Sequence, residues 1–336
     1  MKMNYKVLGK TGIKVSELGL GTMNFAHGVD ADMAKKLFDR CREKGVNLFD
    51  TANIYGDNRC GEAEKILGQC MKGSREECVI ISKVGTTKQN RPDNDGGLSR
   101  RYIMQEVEKT LKNLETDRLD IYMAHHMDPD TPIEETLRAF DDLKRQGKII
   151  YAGISNAAAW EIAISLGISY REGLARFDVV EPMYNLVKRQ AEVEILPLCQ
   201  HENLGVVTYS PLGAGLLTGK YKGGNMNVAG RLTESNRYSG RYADEQNFKT
   251  ADAFVDHAEK RGVSPIALAI KWVMTNPAVT CPLIGAKNIE QLDLALSAVD
   301  IEMSQEWRDE ITSLSIDPPS ATDRSEERKN PKIFGH

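Results

Sequence analysis

The stretch "LDIYMAHHMDPDTPIEETLRAFDDLKRQGKIIYAGIS" (119–155) holds a complete folding unit. It opens on an apolar run, "LDIYMAH" (119–125), and closes on another, "IIYAGIS" (149–155). Between them, 131–147 carries helix punctuation. Thr131 suits the cap, Pro132 the first helical position, and Glu134 completes a capping box. Ile133, Leu137, Phe140 and Leu143 then share one face, and Gly147 supplies a stop. Near-continuous apolar strands flanking a helix read as parallel neighbours joined by a crossover.

Outward from this unit the alternation persists. Strand-like runs recur at "ELGLG" (17–21), "VNLFD" (46–50), "CVIISKV" (78–84), "FDVVEPMY" (177–184), "LGVVTYS" (204–210) and "VTCPLIG" (279–285). Helix-compatible segments lie at 31–44, 60–72, 99–114 (with Ser99 as cap), 157–166, 190–202, 250–261 and 264–275. Eight strand–helix repeats with short connections imply an α/β fold, a (β/α)8 TIM barrel, as one domain over 1–336. A doubly wound sheet is the alternative, but no shift in composition marks a second domain. Residues 1–16, with "GKTG" between two alternating runs, read as an N-terminal β-hairpin. The long polar loop 222–249 and the C-terminal tail 316–336 fall outside the repeat.

Composition narrows the function classes. The 336 residues are 41% hydrophobic and 27% charged, which suits a globular protein with a sizeable core. A formal net charge of −4 gives no reason to expect nucleic acid or an acidic membrane as partner. The N-terminus lacks the apolar centre of a signal peptide, and no run approaches the ~18 apolar residues needed to span a bilayer. Six scattered cysteines (Cys41, Cys60, Cys70, Cys78, Cys199, Cys281) include no C-x-x-C pair, so neither a metal site nor a disulfide framework is expected. Free thiols without a signal suggest the cytoplasm. Oligomeric state is not legible.

Chemistry gathers where strands end. In such a barrel the active site sits at the carboxyl ends of the strands. Those ends carry Asp50 and then Tyr55, Lys83, His125, Ser155 with Asn156, Glu181 with Tyr184, and Ser210. Each alone has a duller reading: a capping aspartate, a rim aromatic, a solvent-seeking lysine, a core histidine. Polar groups punctuating apolar strands are costly unless they face one another, so the set is more telling than any member. On strand alternation His126 points away from His125 and reads as structural. "GLGTMN" (19–24) and "GAGLLTG" (213–219) do not fit the dinucleotide fingerprint spacing and read as close backbone approaches.

At this point the chain resembles the aldo-keto reductases. The matching residues are "FDTANIYG", "IISKVG", "LDIYMAH", "GISN", "YNLVKRQAEVE", "YSPLGAGLLTGKY" and "IGAKNIEQL", in family order across nearly the whole length. The resemblance implies a catalytic set of Tyr55, Lys83, Asp50 and His125. Reduction of a carbonyl leaves a developing alkoxide that needs a proton donor. Tyr55 would supply it, with the ammonium of Lys83 lowering the phenol's pKa, Asp50 holding Lys83 charged, and His125 orienting the carbonyl. The hydride would come from NADP(H), preferred over NAD(H), with no metal.

The same resemblance implies the cofactor contacts. They comprise Gly21, Thr22 and Met23; Ser155, Asn156 and Glu181; Tyr209, Ser210, Pro211, Leu212, Gly213 and Leu216; and Gly285, Lys287 and Gln291. Tyr184 would stack on the nicotinamide, and Lys287 would meet the ribose 2′-phosphate as a point charge. Two departures stand out. Glu181 replaces the usual glutamine, and Leu294 and Ala295 follow Gln291 where adenine-binding polar residues are common. A small carbonyl or alcohol is the expected substrate. A dinucleotide-binding sensor or regulatory subunit with slow turnover is the alternative, and a lyase using Lys83 as a Schiff base a remoter one.

Overall fold

Each expected strand joins the next in the computed structural model, which describes residues 3–57, 61–86 and 96–322. The hairpin pairs β1 (Tyr5–Val7) with β2 (Lys14–Ser16), antiparallel. Then come β3 (Gly19–Gly21), β4 (Leu48–Asp50), β5 (Val79–Val84), β6 (Leu119–Ala124), β7 (Ile149–Ser155), β8 (Phe177–Glu181), β9 (Gly205–Thr208) and β10 (Cys281–Ile284). These eight form a closed parallel barrel in chain order, β10 returning to β3 with Leu283 opposite Gly19. Among the described residues, no helix is long and apolar enough to cross a membrane.

The outer ring is built from α1 (Ala31–Glu43), α2 (Glu62–Cys70), α3 (Arg100–Asn113), α4 (Ile133–Arg145), α5 (Ala159–Glu172) and α6 (Ile195–Glu202). Ser99 caps α3 by accepting from the Tyr102 N–H at 3.3 Å. The start of α4 differs from expectation. Pro132 occupies the cap position, and the Thr131 hydroxyl donates to Asp128 at 2.6 Å instead. α5 outruns its expected end at 166, because Gly167 stays helical and the left-handed stop comes at Gly173.

The segment 222–249 is no bare loop. It contains α7 (Arg231–Glu234), α8 (Asn236–Arg241) and the start of α9 (Glu245–Lys260), followed by α10 (Pro265–Met274). Buried Leu232 and Tyr242 anchor it, with Val228, Tyr238 and Phe248 packed against the core, so a mostly polar sequence folds onto the barrel through a few apolar points. α11 (Ile289–Leu296) and α12 (Gln305–Thr312) were not legible in the apolar spacing, though Asn288 and Ser304 cap them. In the tail, residues 316–322 have no regular element and Asp317 pairs with Arg189 at 3.1 Å. Residues 323–336 of that tail lie outside the described residues, as does Cys60. The other cysteines are buried and unpaired.

Two cores follow from strand alternation. One set of side chains faces the helices, including Phe49, Ile80, Tyr122, Ile154, Val180 and Val206. The alternate set fills the barrel: Leu48, Ile81, Ile121, Met123, Val179, Val207 and Leu283, joined by Leu8 and Val15 of the hairpin. The hairpin therefore plugs the amino-terminal end. Its backbone passes so close to β9 that a Cβ on Gly9 would lie 2.3 Å from the Gly205 nitrogen.

Candidate active site

Follow the inward-facing set upward and its character changes. The residue two beyond Leu48 is Asp50, two beyond Ile81 is Lys83, and two beyond Met123 is His125. Likewise Val179 leads to Glu181 and Val207 to Tyr209. A period of two thus converts an apolar filling into a ring of polar groups at the carboxyl end. Tyr55 arrives differently, from the turn after β4, where its N–H donates to the Ala52 carbonyl at 3.1 Å.

Lys83 is fully buried. It donates to the Asp50 carboxylate and, at 3.2 Å, to the Thr51 carbonyl. Its Nζ lies 3.3 Å from Glu181 Oε2 and 5.4 Å from the centre of the Tyr55 ring. The Tyr55 and His125 rings meet edge to face, centroids 6.0 Å apart. The structure thus gathers the four expected catalytic residues and adds Glu181 to their centre.

A lone buried ammonium would shed its proton. Here desolvation pushes Lys83 down, but Asp50 and Glu181 outweigh it and hold the ammonium charged. Two carboxylates cannot both stay ionised around one cation in this interior. Burial raises both, and the charge of Asp50 raises Glu181 well above the usual range. Asp50 is in direct contact with Lys83, which opposes its upward shift, and Glu181 is the one pushed further toward its protonated form. His125 is driven well below its ordinary value by burial and then by Lys83, so its imidazole is neutral.

Tyr55 departs from the sequence expectation. Lys83 does favour its phenolate, but burial, Asp50 and Glu181 oppose that and the net shift is upward. The phenol is a held proton rather than a readily released one.

These groups line a cleft of about 840 Å³, within the ordinary range for a ligand site. Gly21, Met23, Ser155, Asn156, Glu181, Tyr209, Ser210, Pro211, Leu212, Gly285, Lys287 and Gln291 reach its surface, as Asp50, Tyr55 and His125 do. Thr22, Lys83, Gly213 and Leu216 sit behind it, buried. Asn156, Ser210 and Ala214, all on the lining, have left-handed backbone with φ of 55°, 58° and 57°. Such strain in residues other than glycine costs on the order of 1 kcal/mol each and clusters at functional sites.

Tyr184 requires a correction. It follows Glu181 by three residues, an odd step, and so turns outward to the helices. Its ring packs on Trp272 at 5.1 Å between centroids, and its hydroxyl donates to Glu192. It is fully buried and off the cleft, so it cannot stack on a ligand there. The aromatic on the lining is Tyr209, whose hydroxyl donates to Asn156 Oδ1 at 2.5 Å. Asn156 in turn donates to the His125 carbonyl and to Ser155 Oγ, both at 2.9 Å. His126 also differs from expectation. β6 ends at Ala124, alternation lapses, and its ring stacks on His125 at 5.0 Å and lines the cleft.

Sequence reasoning missed the basic wall. Lys220, Arg231, Arg237 and Arg241 all line the cleft. Lys220 sits in the quoted "YSPLGAGLLTGKY", and the signal of the other three was scattered arginines in a polar loop, which usually means a solvated surface.

Residues 17–316 match the family model described as the Aldo/keto reductase family. The chain is 36% identical over 317 residues to the uncharacterized oxidoreductase YrpG of Bacillus subtilis (strain 168), covering 90% of this chain and 93% of that protein. It is 35% identical over 329 residues to a probable voltage-gated potassium channel subunit beta of Oryza sativa subsp. japonica, covering 96% and 99%. With the protein tas of Escherichia coli (strain K12) it shares 32% over 340 residues, covering 93% and 97%.

Proposed function

Since the chain belongs to the aldo/keto reductase family, we propose that it interconverts an aldehyde or ketone and the corresponding alcohol, using NADP(H) in preference to NAD(H). The observation that carries this reading is the buried Asp50–Lys83 pair beside Tyr55 and a neutral His125. Tyr55 holds a proton at the cleft and gives it to the developing alkoxide. Lys83 steadies the phenolate left behind, and Asp50 keeps Lys83 charged. A neutral imidazole can donate one N–H to a substrate oxygen without adding charge, so His125 orients the carbonyl.

The residues present fit a phosphorylated dinucleotide. At one end, His125 Nδ1 is buried without a hydrogen-bond partner, and Glu181 reaches the cleft with its Oε2 3.3 Å from Lys83 Nζ. A protonated Glu181 can donate and accept, as the glutamine it replaces would, so the departure noted in the sequence need not cost carboxamide recognition. At the other, Lys220, Arg231 and Lys287 have no carboxylate partner among the described residues. Lys287 lies against Gly28, whose added Cβ would come 3.7 Å from its Nζ. These cations suit a pyrophosphate and a ribose phosphate. A bound nicotinamide supplies or accepts the hydride. Tyr209 takes the stacking role.

The testing experiment is Tyr55→Phe. Turnover of aldehydes should fall about 10³-fold while NADPH still quenches intrinsic fluorescence with near-parental affinity. Substantial residual turnover would remove Tyr55 from the role.

A regulatory reading is favoured by the similarity to relatives such as the probable potassium channel subunit beta of Oryza sativa. Single-turnover kinetics separate the two, because a sensor would oxidise bound NADPH slowly and without repeated cycles. The charged state of Lys83 speaks against a Schiff-base lyase.

A further inference from the structure

The arginines of this chain divide by the company they keep. Arg40, Arg75, Arg138, Arg189 and most others described reach a carboxylate. Arg231, Arg237 and Arg241 reach none among the described residues, yet all three line the cleft. Glu234 lines the same wall and pairs with none of them.

Arg231 is partly engaged, donating to Asn24 Oδ1 at 3.0 Å, and belongs with the cations assigned to the dinucleotide. Arg237 and Arg241 differ. They stand one turn apart on α8, on the same face. They line the same cleft as His125, His126 and Tyr209, and their positive charge is felt at those three groups. Tyr238 between them fixes the helix. Arg241 and Arg231 both lie over its ring, at 5.4 and 5.5 Å, and the Tyr238 hydroxyl meets Met23 Sδ at 3.7 Å, tying α8 to the loop after β3. Two guanidinium groups without a carboxylate partner among the described residues, one turn apart on a helix that borders the cleft, suit a planar or tetrahedral oxyanion.

We propose that Arg237 and Arg241 bind an oxyanion of the substrate, so that the preferred carbonyl compound carries a carboxylate or phosphate remote from its reacting carbon. The inference rests on the carbonyl-reductase reading of the same cleft.

The test compares matched substrates: 4-oxobutanoate against butanal, and glyceraldehyde 3-phosphate against glyceraldehyde. The chain should favour the anionic member of at least one pair, and which pair shows the larger ratio identifies carboxylate or phosphate. In Arg237→Gln/Arg241→Gln that ratio of kcat/KM should fall about tenfold or more, as loss of a charge-assisted hydrogen bond entails. Equal use of both members by the parent overturns the proposal, and so does an equal loss for both in the variant. A loss of NADPH affinity as large as the loss of the ratio also overturns it, assigning the arginines to the dinucleotide.

Thermal protection by malonate and by inorganic phosphate, with and without NADPH, gives a readout independent of turnover. If no aldehyde is reduced but protection disappears in the double variant, the redox reading fails and the anion site stands. Protection that is absent, or unchanged in the variant, sinks the site itself.

Discussion

The two ends of the barrel are made by the same strands and behave as opposites. Toward the amino end the inward positions are Leu48, Ile81, Met123, Val179 and Val207, sealed by Leu8 from the hairpin. At the carboxyl end the next inward positions are Asp50, Lys83, His125, Glu181 and Tyr209. Thr22, Thr51, Thr86, Thr208 and His125 carry buried polar atoms there without hydrogen-bond partners among the described residues. One end is closed and satisfied. The other is left wanting, and distance along a strand decides which task a side chain performs.

The largest effect that could break this contrast lies at the carboxyl end. Tyr55→Phe should remove about 10³-fold in kcat, with little change in melting temperature, because one buried hydroxyl is lost and no cavity is made. The pH dependence follows from the upward shift of the phenol. Tyr55 stays protonated through neutrality, so reduction should stay flat from about pH 6 to about pH 9. Alcohol oxidation needs the phenolate, so its rate should climb with pH over the same interval. Steady-state profiles in the two directions check this; a reductive rate already falling near neutrality would mean that Lys83 outweighs burial.

The amino end should answer oppositely. Leu8→Ala opens the plug inside the barrel, and a cavity of that kind costs on the order of 3 kcal/mol. Denaturant unfolding should show the loss, while kcat per folded molecule stays at the parental value. A fall in kcat with unchanged stability would join the two ends functionally.

Between these lies Asp50→Asn. Removing the charged partner leaves Lys83 buried with Glu181 as the nearest carboxyl group, which can then give up its proton and pair with the ammonium. The loss in kcat should therefore be modest, about tenfold, where a lone buried ammonium would cost far more. Adding Glu181→Gln removes the substitute, and the combined loss should exceed the product of the single losses.

Much of this contrast was legible in the sequence. The barrel was, because β-branched runs and amphipathic helices each write their period over many residues. The polar ring at the carboxyl end was, because Asp50, Lys83 and His125 interrupt apolar strands. Tyr184 was misread because motif position ignored parity, and three residues past Glu181 is an outward step. The Arg237–Arg241 wall was not legible, since a polar segment has no period and only a few apolar points, Leu232 and Tyr242 among them, record that it folds back on the barrel. The direction of the Tyr55 shift was hidden too. Sequence named the neighbouring ammonium but could not weigh it against burial and two carboxylates.

The smallest expected effect is the sharpest test of the electrostatics. If Glu181 holds a proton, glutamine is nearly its isostere, with one donor and one acceptor directed alike. Glu181→Gln should then keep kcat within about threefold of the parent and leave the oxidative pH profile in place. If Glu181 is ionised instead, the substitution deletes a negative charge that opposes the phenolate. The pKa of Tyr55 would drop, and the rise in alcohol oxidation would begin at lower pH. The Lys83 ammonium, facing one carboxylate rather than two, would also bind an incoming anion more readily. A near-silent substitution thus supports a neutral pair, Asp50 with Lys83, at the bottom of the cleft. A shifted profile would mean that the site carries net negative charge, and that its preference runs toward the cationic, oxidised nicotinamide.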